Sequence, residues 1–142
     1  MELELGNKHL GQFYSPYDVS RLTAAMTAAT VADESKERGF TRFYEPTCGA
    51  ASYVIALTQE LCRNGFNYQT QLHVTAEDIA PQAVHMAYIH LALLHVPAAV
   101  HRRDTLTRET FDTWYTPAHV LGGWTARLRH AAAHRKRSES CR

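Results

Sequence analysis

Cysteine is scarce in this chain of 142 residues: Cys48, Cys62 and Cys141 form an odd set with no CxxC pair. That argues against a disulfide framework or a zinc knuckle and fits a reducing compartment. No apolar run approaches the roughly 20 residues that a membrane-spanning helix requires. The opening Met1-Glu2-Leu3-Glu4-Leu5 is acidic where a secretory leader is basic, so a cytoplasmic protein is expected. There is no internal repeat, low-complexity block or Pro/Gly/Ser-rich linker. Nine histidines are present, yet no functional metal site is expected. His85, His90 and His95 are five apart, which turns them off any common helical face, and the His130/His134 pair has neither an HExxH glutamate nor a third ligand.

What is present suffices for one globular domain. Hydrophobic residues make up 45% and charged residues 20% of the chain, enough to bury a core. The net charge of +1 is unevenly spread, because six Lys or Arg residues follow Trp124 against Glu139 alone. The segment 124–142 is therefore read as a basic helix or tail attached to a domain spanning 1–123. Arg127, Arg129, Arg135, Lys136 and Arg137 are candidate phosphate contacts, and a solvated terminus is the competing reading.

Periodicity orders the rest. Pro16 suits the first turn of a helix over 16–32 whose Val19, Leu22, Met26 and Ala29 share an apolar face, with the helix finished by Gly39. Thr41–Tyr44 reads as a strand, Ser52–Arg63 as a helix stopped by Asn64-Gly65, and Gln71–Ala76 as a strand ending at Glu77-Asp78. Pro81 opens a helix over Gln82–His95, and Ala98–His101 is a brief third strand. A β-α-β-α-β core over 41–106 is an α/β pattern, with a mostly parallel sheet and right-handed crossovers. Beyond Asp104 the pattern weakens: Thr107–Tyr115 reads as one or two helical turns, and Trp124–Lys136 as an Ala-rich basic helix.

Chemistry gathers at three successive strand ends, the place where open α/β sheets bind ligands. The turn Glu45-Pro46-Thr47-Cys48-Gly49-Ala50 is small enough for a ligand to approach its backbone and leads into a helix N-terminus. Asp78 at the second strand end can accept ribose hydroxyls, and Asp104 at the third can accept an adenine amino group. Together they outline an adenosine. Each carboxylate has a plainer role open to it as a turn or helix cap. Cys48 stands near a helix N-terminus that would lower its pKa, but no His pairs with it in the motif, and packing is its expected role.

The wording of these segments resembles the adenine-specific DNA methyltransferases, in particular the methylation-subunit type of restriction systems and mobile elements. Gly11-Gln12-Phe13-Tyr14-Ser15-Pro16 is similar to their Gly-Gln-(Phe/Tyr)-(Phe/Tyr)-Thr-Pro element, and Glu45-Pro46-Thr47-Cys48-Gly49 to (Asp/Glu)-Pro-x-Cys-Gly-x-Gly. Glu77-Asp78-Ile79 resembles the acidic end of their second strand, and Arg103-Asp104-Thr105-Leu106 their Gly-Asp-(Thr/Ser)-Leu. The resemblance implies a Rossmann-like methyltransferase fold, shortened at its C-terminal side, that takes S-adenosylmethionine. It implies that Phe13, Tyr14 and Pro16 line the methionine end, that Glu45 faces its amino group, and that Pro46, Cys48 and Gly49 pass beneath it. Asp78 would then hold the ribose, Ile79 pack on the adenine, and Asp104 meet the adenine amino group. Ala51 departs from the family, which usually has a second Gly there.

The same family carries an (Asn/Asp)-Pro-Pro-(Tyr/Phe) element that holds the flipped target base, and this chain has no Pro-Pro. Trp114-Tyr115-Thr116-Pro117-Ala118-His119 is the nearest candidate, with aromatics and one proline but no amide in place. No catalytic residue is assigned. DNA is the implied partner, together with a second subunit for target recognition. The alternatives are a catalytically degenerate module that binds cofactor or a protein, and a fragment of a longer methyltransferase.

Overall fold

The computed structural model describes residues 16–140, with side chains described through residue 137. Helix α1 (Tyr17–Arg38) is followed by β1 (Thr41–Glu45), α2 (Ser52–Arg63), the single turn α3 (Tyr68–Gln71), β2 (Leu72–Asp78) and α4 (Pro81–Leu93). Strands β3 (Ala98–Arg103) and β4 (Thr110–Tyr115) come next, then α5 (Pro117–Leu121) and α6 (Trp124–Ser140). The strands form one sheet in the order β1-β2-β3-β4. The first three are parallel and β4 runs antiparallel to β3, so the expected mostly parallel α/β sheet is what forms.

Because β1, β2 and β3 are neighbours in sequence order, right-handed crossovers set α2 and α4 on the same face of the sheet. That face holds the main core: Val74, Ala76, Ala98 and Val100 from the strands meet Val54, Leu57 and Leu61 of α2 and Val84, Ala87 and Leu91 of α4. Helix α1 packs on α2 through Ser20, Ala24, Ala28 and Val31, and Gly39 ends it in the left-handed region (φ 76°), its N–H donating to Ser35 O. Among the described residues, α6 covers the opposite face of the sheet at the end where β2 begins. There Trp124, the first residue of α6, is fully buried against His73 (ring centroids 5.3 Å apart) and edge-on to Phe40.

Two expectations are corrected. The apolar positions of α1 do not form its buried face, and Leu22 and Met26 are 68% and 75% exposed. Small side chains at 20, 24 and 28 let α1 approach α2 closely, and Thr27 Oγ1 bonds the Tyr53 hydroxyl at 2.7 Å across the contact. The helical turn expected within Thr107–Tyr115 is instead β4, paired Val100↔Trp114 and His101↔Thr113 with β3. Its Thr, Phe, Trp and Tyr content suits a pleated surface better than a helix. Three strands also run further than expected: β1 includes Glu45, β2 includes Glu77 and Asp78, and β3 reaches Arg103.

Candidate cofactor site

The turn after β1 is held by the end of β2. The Cys48 N–H donates to Glu77 O at 2.8 Å and the Gly49 N–H to Asp78 Oδ2 at 2.9 Å. The Ala51 N–H closes the turn on Cys48 O at 2.7 Å. Gly49 and Ala51 both take the left-handed conformation (φ 52° and 66°), which glycine adopts without penalty and alanine does not. Ala51 is the N-cap of α2 and is fully buried, so the fold forces it there. His90 of α4 bonds Ala50 O at 2.8 Å, and the Thr105 hydroxyl donates to Pro46 O at 3.0 Å. Segments after β1, β2 and β3 therefore meet at one end of the sheet.

A hollow of about 250 Å³ opens between this turn and the first turns of α1, lined by Val19, Ser20, Thr23, Glu45, Thr47, Cys48, Gly49 and Tyr53, among others. Among the described residues, Glu45 supplies its one acidic side chain. Burial pushes the Glu45 carboxyl above its usual range, with the Thr47 N–H pulling the other way. A desolvated carboxylate of this kind favours a cation beside it. Cys48 is buried, and burial followed by the negative charges of Asp78 and Glu45 raises its thiol to about 12. A thiol so far from ionising packs the turn and is no nucleophile.

Asp78, Ile79 and Asp104 stand outside the hollow. Asp78 accepts the Gly49 N–H and, through Oδ1, the Ala80 N–H at 3.0 Å. Ile79 beside it is exposed. Asp104 Oδ1 accepts the Leu106 and Thr107 N–H groups at 2.9 and 3.2 Å, which is the turn-capping role open to it from sequence. Pro16 is the N-cap residue of α1, and its carbonyl accepts the Val19 N–H at 3.1 Å at the entrance to the helix that lines the hollow. Phe13 and Tyr14 lie outside the described residues.

Glu77 is the neighbour that sequence reasoning did not separate from Asp78. Its side chain faces the other side of the sheet, where it accepts the Tyr44 hydroxyl at 2.8 Å and Arg103 at 3.0 Å while only 1% exposed. That hydrogen bond raises the Tyr44 hydroxyl above its usual value. Strand alternation was the available signal, since Val74 and Ala76 on the core side put Asp78 with them and Glu77 opposite.

The segment Trp114–His119 lies at the wrong end of the sheet for an acceptor element. Since β4 is antiparallel, Tyr115 pairs with Ala99 near the start of β3, whereas the turn sits beyond the strands' C-terminal ends. Thr116 is buried and ties Val96 O and the Ala98 N–H, and His119 bonds His73 at 2.9 Å and Thr125 at 2.9 Å. These are structural duties. Among the described residues, no three His, Cys, Asp or Glu side chains converge as a metal site, and no helix is long and apolar enough to cross a membrane.

In α6, Arg127 is committed within the fold. Its guanidinium lies 3.7 Å from the Trp124 ring centroid and donates to Thr70 O at 3.1 Å. Arg129, Arg135, Lys136 and Arg137 are exposed.

No curated protein matches the chain significantly. The model of the N-6 DNA methylase family, by contrast, matches residues 4–122, from before the first motif through β4 and α5. With the turn after β1, the acid ending β2 and a three-stranded parallel core, the chain belongs to the N-6 DNA methylases, in a shortened Rossmann-like methyltransferase fold.

Proposed function

We propose that this chain forms the S-adenosylmethionine-binding part of an adenine-specific DNA methyltransferase, with the acceptor side completed by a partner subunit. The observation that carries the reading is the Glu45 carboxylate, desolvated in a hollow beside a turn whose Gly49 and Ala51 are both left-handed. The residues present fit the cofactor. Glu45 would take its ammonium group by a charge-assisted bond, and the turn at Pro46, Cys48 and Gly49 would underlie its methionine portion. Pro16, with Phe13 and Tyr14, would border that end. Asp78, already oriented by two backbone N–H groups, would keep its remaining lone pairs for the ribose hydroxyls. Exposed Ile79 would cover one face of the adenine, and Asp104 would accept from its amino group. Bound S-adenosylmethionine supplies a methyl group on a sulfonium, ready for transfer to a nucleophilic nitrogen. This chain's own contribution is to bind and orient.

DNA is the substrate that the family implies. Arg129, Arg135, Lys136 and Arg137 on α6 are proposed to contact its phosphates, with Arg127 reserved for holding the helix.

A second reading is a module that binds the cofactor without transferring the methyl group. The sequential strand order favours it, because the described sheet contains no reversal to create a crevice for an acceptor base. Filter binding with methyl-tritiated S-adenosylmethionine tests both. Retention of label by the wild type and its loss in Asp78→Ala support cofactor binding, and no retention ends both readings. Label passed to unmethylated DNA, and abolished by Asp104→Ala, makes the chain an enzyme by itself. Transfer that begins only when a partner is added supports the divided site.

A further inference from the structure

We propose that the hollow between β4, α5 and α6 binds an unpaired nucleotide of a DNA strand, with its base stacked on Tyr115 and the strand's phosphates led along α6 by Arg129 and Lys136. The hollow has a volume of about 330 Å³, within the range of about 300–1,000 Å³ usual for ligand clefts. Tyr115, His119, Val120 and Trp124 line it, with Thr125 and Arg129 of α6 at its side. The Tyr115 and His119 rings lie 4.5 Å apart at 33°, and Tyr115 remains 51% exposed. The fold fixes the inner half of this pair. His119 is bonded at both ring nitrogens, to His73 and to Thr125, while Trp124 is fully buried. A base laid on the exposed Tyr115 ring continues a stack that the protein has already begun.

Charge and rings together select the occupant. From Thr113 to Ser138 the chain carries five Lys or Arg residues and no Asp or Glu. Arg129 at the hollow and Lys136 are seven residues apart, so they share a face of α6 about 10 Å apart along its axis. Only the small Ala132 and Ala133 stand between them on that face. An apolar partner leaves these cations unused, and an acidic peptide leaves the ring unused. A nucleotide strand presents aromatic faces and phosphates in alternation, which is what a stacking ring beside a basic track receives. In a duplex each base face is covered by its neighbours, so only an unpaired base reaches a ring in a hollow.

The hollow stands at the far end of the sheet from the Cys48-Gly49 turn, because Tyr115 pairs with Ala99 near the start of β3. Six residues of β3 separate the two ends by about 20 Å. The site is therefore a second station on the DNA, apart from the base that receives the methyl group. It rests on the reading of DNA as the substrate but needs no occupied cofactor hollow.

Fluorescence anisotropy of a labelled oligothymidylate of about 12 nucleotides, within the span that such sites cover, reads the contact on the full chain. This probe has no adenine, so a methyl-acceptor site plays no part in its binding. Tyr115→Ala should weaken it roughly 5- to 150-fold, the worth of one stacked base, and leave duplex binding unchanged. Tyr115→Phe should bind as the wild type does. A strand of the same length without bases should lose the same factor on the wild type and nothing further on Tyr115→Ala. Arg129→Ala and Lys136→Ala should each make the salt dependence shallower. Circular dichroism and melting should stay unchanged, and if Tyr115→Ala melts early the baseless strand on the wild type decides alone. Equal binding of the strands with and without bases, or a Tyr115→Ala loss shared equally by the duplex, overturns the stacking site and leaves α6 a phosphate contact. Displacement of the strand by micromolar thymidine monophosphate overturns it in favour of a free nucleotide, and absence of any DNA binding overturns it outright. Retention of S-adenosylmethionine reads the cofactor hollow independently, so the two failures are separate results.

Discussion

Replacing Glu45 by Gln separates the demands of folding from those of ligand binding. The carboxylate is half-buried, and desolvation raises its pKa, so the charged form costs the empty protein stability. Gln has the same shape and can still accept from the Thr47 N–H, so the variant should fold at least as stably as the wild type near neutral pH. The pH dependence has a definite sign. A raised folded-state pKa means that Glu45 favours folding below its unfolded value and loses that contribution as pH rises through the folded one. The stability gap in favour of Glu45→Gln should accordingly widen from pH 4 to pH 7. Binding should move the opposite way. Losing one charge-assisted hydrogen bond to an ammonium group costs about 1.5–3 kcal/mol, or roughly 10- to 100-fold in affinity. Urea melts and calorimetric titration with S-adenosylmethionine on the same two proteins measure both. Equal cofactor affinity, or a variant more than about 1 kcal/mol less stable, would refute the assignment of Glu45.

Other perturbations follow from the same geometry. Gly49→Ala places a side chain in a left-handed position and should lose about 1–2 kcal/mol of stability, whereas Ala51→Gly relieves similar strain against an entropic cost of about 0.5–1 kcal/mol and should be neutral to mildly stabilising in thermal melts. Burial, followed by the charge of neighbouring His119, lowers His73 to about 3, and burial lowers His119 as well, so the fold holds both rings neutral. Their contribution is complete above the unfolded value near 6.5 and is lost as pH falls from there towards the folded values. Stability should then drop by on the order of 1 kcal/mol per pH unit between about pH 6 and 4, and His73→Leu should flatten that slope. Trp124→Ala empties the contact with Phe40 and His73 and should cost about 3–5 kcal/mol by urea denaturation, with α6 losing its anchor.

The core of the fold was legible where period and punctuation agreed. Ser52–Arg63 is bounded as its apolar spacing and Asn64-Gly65 require, and Pro81 opens α4 as expected. The buried face of α1 was not legible, because a periodicity argument weights large residues. Here Ser20, Ala24 and Ala28 make the interface by being small, and Leu22 and Met26 are left outside. β4 was missed for a related reason: Phe111, Thr113 and Tyr115 alternate with half-buried Trp114, but Asp104–Arg108 gives no strand-opening signal of its own. In the site, the convergence of Glu45, Gly49 and Asp78 could be read from their order at successive strand ends. The exclusion of Trp114–His119 could not, since it depends on β4 running antiparallel and delivering that segment to the far end of the sheet.

The central claim is that the hollow beside Glu45 and the Asp78-held turn receive S-adenosylmethionine. Isothermal titration of the cofactor into the full chain tests it most directly. Saturable binding at one site per chain is expected, competed by S-adenosylhomocysteine and weakened by Asp78→Ala. Absence of both heat and thermal shift at millimolar cofactor, about the weakest affinity for which the term site is useful, would contradict it.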